Sequence, residues 1–122
     1  MNDKPSKDEL GTAIERGHFS KAASLAASLG LPEGEIQDLQ VKSLWQMAAV
    51  YRNSPGTKLL AQQYGLSKQQ VRELLQKYGE EEKRAGNTKP FEPCYDLSSG
   101  AHLSFEEWME QFVKRWEKLP VS

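Results

Sequence analysis

Side chains able to do chemistry unaided are few and scattered along these 122 residues. His18 and His102 are far apart, and neither has a second ligand at the spacing a metal site needs. The single cysteine, Cys94, sits between Pro93 and Tyr95 without a basic neighbour to favour its thiolate, so it reads as an inert loop thiol. Carboxylates cluster at Glu80-Glu81-Glu82 and Glu106-Glu107. The first cluster reads as a solvated face and the second as part of a helix cap, not as an acid–base pair. No phosphate-cradling glycine loop, nucleophile elbow or kinase signature occurs. The expectation is a protein that is not an enzyme and holds no metal or cofactor. What remains is charge. The net charge is only -1, yet residues 51–79 carry Arg52, Lys58, Lys68, Arg72 and Lys77 against Glu73 alone. A basic middle segment therefore lies between two acidic flanks.

The elements that must position those cations are helical almost throughout. Ser6 with Glu9 forms a capping-box pattern for a short first helix, with Leu10, Ala13 and Ile14 as its apolar stripe and Gly17 as its stop. Phe19 to Leu29 reads as a second helix, ended by Gly30. A third, from about Glu35 to Arg52, has an apolar stripe wide enough to touch neighbours on two sides. Ser54 as N-cap before Pro55 opens a fourth helix to about Tyr64. Ser67 opens a fifth, about Lys68 to Tyr78, with Gly79 as its stop and Glu80 to Arg84 as a solvated charge run. Residues 85–103, rich in Gly, Pro and Ser, read as a long loop with a short extended piece around Phe91 to Leu97. Ser104 and Glu107 then cap a final amphipathic helix, with Leu103 and Trp108 placed as a hydrophobic staple.

The fold class expected is all-α: a helical hairpin (1–34), a trihelical unit (35–79), a linker loop (80–103) and a C-terminal amphipathic helix (104–119), together forming one compact domain. Residues 17–22 look like the turn and second helix of a tetratricopeptide-type pair. They occur as a single copy, and the reading kept is a hairpin packed on the third helix.

The basic segment sits on the most informative stretch, residues 58–76, KLLAQQYGLSKQQVRELLQ. Ala61 is small where two steeply crossed helices would meet. Gly65 supplies the left-handed turn, and Leu66 plugs it from below. Ser67 and Gln70 form a capping box, and Val71 and Leu74 with Leu60 and Tyr64 form a shared core. These residues resemble the helix-turn-helix of DNA-binding proteins, most closely the trihelical units of transposases, sigma-like factors and homeodomain-like regulators, over about residues 36–79.

The resemblance implies that residues 68–78 are a recognition helix lying in the major groove. It would expose Ser67, Lys68, Gln69, Arg72, Glu73 and Gln76. Arg72 suits guanine, Gln69 suits adenine, and Glu73 suits a cytosine amino group or the orientation of Arg72. Lys58, Lys68 and Lys77, with the Ser54 hydroxyl and the free N–H groups after it, suit phosphate.

Two functions follow as expectations. One is a small helix-turn-helix protein that binds duplex DNA, as a transcriptional regulator or mobile-element accessory factor. The other is an all-helical protein–protein adaptor that keeps the scaffold without the DNA. The first needs a dimerising element, and the last helix offers Trp108, Phe112 and Trp116 at four-residue spacing. That face either completes the core of the monomer, the favoured outcome, or binds a second copy or a protein partner. No apolar run approaches a membrane span, Met1 to Ser6 lack the apolar stretch of a signal peptide, and a lone cysteine fits a reducing cytoplasm.

Overall fold

The computed structural model describes residues 6–97 and 99–119. The fold is all-α apart from one small hairpin, and it divides into two units, Met1–Ser43 and Leu44–Ser122. The division falls inside the third helix. No helix among the described residues is long and apolar enough to cross a membrane.

The first unit holds α1 (Lys7–Glu15), α2 (Phe19–Ser28) and most of α3 (Glu33–Trp45). The Ser6 hydroxyl accepts from the Glu9 N–H at 3.2 Å, which is half of the capping box expected there. The core is built from small side chains: Ala13, Ala22, Ala23 and Ala26, with Leu10 and Leu39. Ile14, placed on the α1 stripe by its spacing, is exposed.

The second unit begins with the end of α3 and a π-helical turn, Gln46–Val50. The wide turn closes with the Tyr51 N–H on the Gln46 carbonyl, and it leads to Arg52 with φ of 52°, the one non-glycine in the left-handed region among the described residues. Helix α4 (Ser54–Gln63) follows, then the turn at Gly65, then α5 (Lys68–Arg84). The α4 cap is Asn53, whose carboxamide oxygen accepts from the Gly56 N–H at 2.9 Å. Ser54 is the first helical residue and not the cap.

Helix α5 runs through Gly79 instead of stopping there. A Cβ at Gly79 would stand 3.3 Å from Cζ3 of Trp45 and 3.4 Å from the Phe91 ring, so glycine here allows close packing inside a helix. The charges Glu80 to Arg84 form its last turns. Val71 and Leu75 are its fully buried residues; Leu74, expected in the core, is only half-buried.

The expected long loop is largely structured. A 3-10 turn (Lys89–Phe91) precedes strands β1 (Cys94–Asp96) and β2 (Ala101–Leu103), which pair antiparallel with Cys94 opposite Leu103 and Tyr95 opposite His102. Arg52 ties this segment down. Its guanidinium donates to the carbonyls of Leu103 (3.1 Å), Pro90 (3.0 Å) and Glu92 (3.2 Å), and it lies over the Phe105 ring. These bonds, plus one to the Ala49 carbonyl, offset the strain of its φ.

Helix α6 (Phe105–Lys114) carries both halves of the Ser104–Glu107 capping box. Phe105, Trp108, Met109 and Phe112 are buried in the same core as Leu44, Trp45, Val71 and Leu75, and burying such side chains is worth roughly 1.5–3 kcal/mol each. Ring contacts run from Trp45 through Phe105, Trp108 and Phe112 to Trp116 at centroid spacings of 4.9, 6.0, 5.2 and 5.4 Å. The last helix is therefore docked within its own unit, and Trp108 and Phe112 are interior, not a surface for a second copy. Tyr51 is 62% exposed and lines a cavity together with Trp108 and Phe112.

Candidate nucleic-acid interface

The α4–turn–α5 geometry follows from local chemistry. The Leu66 N–H donates to the Ala61 carbonyl at 2.8 Å and the Gly65 N–H to the Gln62 carbonyl at 3.1 Å. This double closure requires a left-handed residue, and Gly65 supplies a φ of 70°. Ala61 is fully buried. The Ser67 hydroxyl accepts from the Gln70 N–H at 3.2 Å while the Gln70 side chain accepts from the Ser67 N–H at 2.8 Å. Both ends of the turn are thereby fixed, and with them the direction of α5.

One face of α5 is buried through Val71, Leu75 and Gly79, and the other presents Gln69, Arg72, Glu73, Gln76 and Lys77 to solvent. Ser67 is exposed but its hydroxyl serves the cap. The Gln69 amide donates to the Glu73 carboxylate at 3.1 Å, so Glu73 orients Gln69 and not Arg72. Arg72 and Lys77 form no ion pair among the described residues.

Two of the five cations in the basic segment are not available. Arg52 is the hub described above; its burial pushes the guanidinium below its ordinary pKa, with Cys94 and Glu106 opposing. Lys58 is only 5% exposed. Its ammonium donates to the carbonyls of Trp116 (2.5 Å) and Leu119 (3.1 Å) and lies over the Trp116 ring. It is a cap for the carbonyl end of the C-terminal segment, which corrects its expected role as a free phosphate ligand. Lys68 is intermediate: it pairs with Glu117 at 3.2 Å and keeps part of its side chain in solvent. Ser54 is half-buried at the start of α4.

A second ion pair, Lys83 with Glu106 at 2.6 Å, joins the far end of α5 to the start of α6. The two bridges show that α5 and α6 run antiparallel. Burial alone would raise the Glu106 carboxyl, but the hydrogen bond and charge of Lys83, with Arg52 nearby, hold it below the usual glutamate range. Glu117 is also held low, first by a backbone hydrogen bond and then by Lys68. Between the bridges, Arg72 borders a shallow hollow of about 300 Å³ with Glu110, Val113 and Lys114.

Sequence reasoning missed the exposed cations at and after the end of α6, Lys114, Arg115 and Lys118, of which Lys114 lines this hollow. The net acidity of residues 80–122 hid them, because they are separated from Glu106 and Glu107 only by position along the helix. A second feature lies elsewhere on this unit. Tyr51, Asn53, Ser54 and Pro55 face Tyr95 and Leu97 across a cavity of about 490 Å³. Among the described residues no three His, Cys, Asp or Glu side chains come together as a metal site.

Comparison with known proteins returns no match: no family model fits the chain, and no characterised protein or solved structure is significantly similar to it.

Proposed function

We propose that this chain is a small DNA-binding protein of helix-turn-helix type, with α5 as the helix that enters the major groove, acting as a cytoplasmic transcriptional regulator or mobile-element accessory factor. The observation that carries the reading is the sidedness of α5. Behind a doubly closed turn, Val71, Leu75 and Gly79 face the core, while Gln69, Arg72, Glu73 and Gln76 stand exposed on successive turns of the N-terminal half. Side chains of these types, held on one face, are chemically matched to base edges. Arg72 is the direct reader, Gln69 is pre-oriented by Glu73, and Lys68 and Lys77 attend to phosphates.

Fluorescence anisotropy with a random duplex, titrated with salt, tests this reading. Phosphate contacts make affinity fall steeply as salt rises. Arg72→Ala should cost about 1–3 kcal/mol at a selected site and relax preference at one base pair. An absence of salt-dependent binding at low ionic strength would overturn it.

A second reading, an all-helical adaptor, is favoured by one observation. Tyr51, Tyr95 and Leu97 are exposed around the 490 Å³ cavity, and Leu97 is 89% exposed. Apolar side chains gathered around a concavity suit a protein partner.

A further inference from the structure

With Arg52 and Lys58 turned inward, the N-terminal half of α5 keeps Lys68 and Arg72 against Glu73, with Lys77 just past its middle. That is a thin field for a duplex. The antiparallel packing of α6 strengthens it, because α6 is itself polarised: it begins with Glu106 and Glu107, and the segment from Lys114 onward carries Lys114, Arg115 and Lys118. The Lys68–Glu117 bridge sets that basic end beside the start of α5, and the Lys83–Glu106 bridge sets the acidic beginning beside the end of α5. The start of α5 and the segment from Lys114 onward thus carry five cations (Lys68, Arg72, Lys114, Arg115, Lys118) against Glu73, Glu110 and Glu117, with Lys77 just past the middle of α5. The other end holds Lys83 and Arg84 against five glutamates, 80–82, 106 and 107.

Resting on the DNA reading above, we propose that segment 114–118 is a second DNA-contacting element, a phosphate clamp that grips the backbone beside the groove occupied by α5. Lys114 lines the hollow beside Arg72, with Glu110 and Val113 in the same lining. Arg115 borders the cavity at Ser54 and Pro55, at the start of α4, where the helix dipole also favours an anion. The segment's place is fixed from beneath, since Lys58 holds the Trp116 and Leu119 carbonyls and Trp116 packs on Phe112. The occupant is a polyanion by charge complementarity. A duplex is favoured over an acidic polypeptide because the clamp flanks the row of base-reading side chains on α5.

The test uses the full chain, a fluorescein-labelled random duplex of about 20 base pairs and a salt series, since counterion release sets the slope. Lys114→Ala/Lys118→Ala should lower affinity at 0.1 M salt on the order of tenfold per lysine and flatten the log–log salt slope by about 2. Both side chains are exposed, so the melting temperature should stay at the wild-type value. The matched variant Lys7→Ala/Lys21→Ala removes the same charge from the other unit and should leave the slope unchanged. Wild-type binding with an unaltered slope in the 114/118 variant would sink the clamp while leaving the α5 reading standing. Equal effects of the two double variants would reduce it to bulk charge and overturn it. Displacement of the duplex by polyglutamate at the charge concentration at which unlabelled duplex displaces it would assign the surface to acidic polypeptide instead. No salt-dependent binding by the wild type would overturn both the DNA reading and the clamp.

Discussion

Lys58→Met separates the two roles that a lysine in this segment can have. Methionine keeps most of the stem's length and apolar contact but cannot donate. The ammonium of Lys58 makes two hydrogen bonds, to the Trp116 and Leu119 carbonyls, at a site only 5% exposed. Hydrogen bonds involving a charged group are worth about 1.5–3 kcal/mol each, and removing the donor also spares the cost of burying an ammonium. The expected net loss is about 2–3 kcal/mol. A unit of this size loses roughly 4–8 °C per kcal/mol, so the melting temperature should fall by roughly 10–20 °C. Circular dichroism melts measure that loss, and a salt series of DNA binding taken well below the melt measures the other role. If Lys58 is a cap, the variant melts early and the salt slope does not change. An unchanged melt with a slope flattened by about one phosphate would refute the burial argument and restore Lys58 to the surface.

Three further outcomes are expected. Gly65→Val should lower stability by about 1–2 kcal/mol or more in a urea titration, since a β-branched residue resists the φ of 70° even though no atom crowds its Cβ; an unchanged midpoint would mean that the turn is not doubly closed. Arg52→Lys should be nearly as harmful as Arg52→Ala in the same assay, because an ammonium cannot span the carbonyls of Leu103, Pro90 and Glu92 that the planar guanidinium reaches together; full rescue by lysine would contradict the hub. Glu106, Glu107 and Glu117 all have depressed folded-state pKa values, so their contribution is present above the unfolded value of about 4.3 and is lost as pH falls through it and below. The urea midpoint should therefore decline on acidification from pH 6 to pH 3, and Lys83→Gln should shallow that decline; a flat profile would contradict the Lys83–Glu106 bridge as drawn.

Local grammar was readable from sequence at most turns whose partners lie within a helical turn, though the α4 cap fell on Asn53 and not Ser54. Ser67 with Gln70 and Ser104 with Glu107 are capping boxes as their spacing says, and Gly65 takes the left-handed turn. The all-α class follows from the same periodicities. What could not be read depends on partners far along the chain. Gly79 looks like a helix stop until Trp45 and Phe91 are placed against it. Arg52 and Lys58 look like solvated cations until the carbonyls of residues 90–103 and 116–119 come to them, 38 to 61 positions away. A one-residue slip also mattered: Leu74 and Leu75 both fit the α5 stripe, and it is Leu75 that is buried while Leu74 is half-buried.

Those long-range contacts change what a charge count can mean. A run of five cations in residues 51–79 suggested a surface field, yet the fold spends Arg52 and Lys58 on backbone carbonyls of the C-terminal half and partly neutralises Lys68 with Glu117. Conversely, the acidic tally of residues 80–122 conceals a basic end, because antiparallel helices compare charges across the pair and not along the chain. On the proposed DNA reading, the start of α5 and the end of α6 would make that field jointly, and the contacts that bury Lys58 hold the carbonyl end of the C-terminal segment in place. Lys58 itself is too enclosed to touch a phosphate, so its part is structural: it holds the carbonyls of Trp116 and Leu119 from beneath.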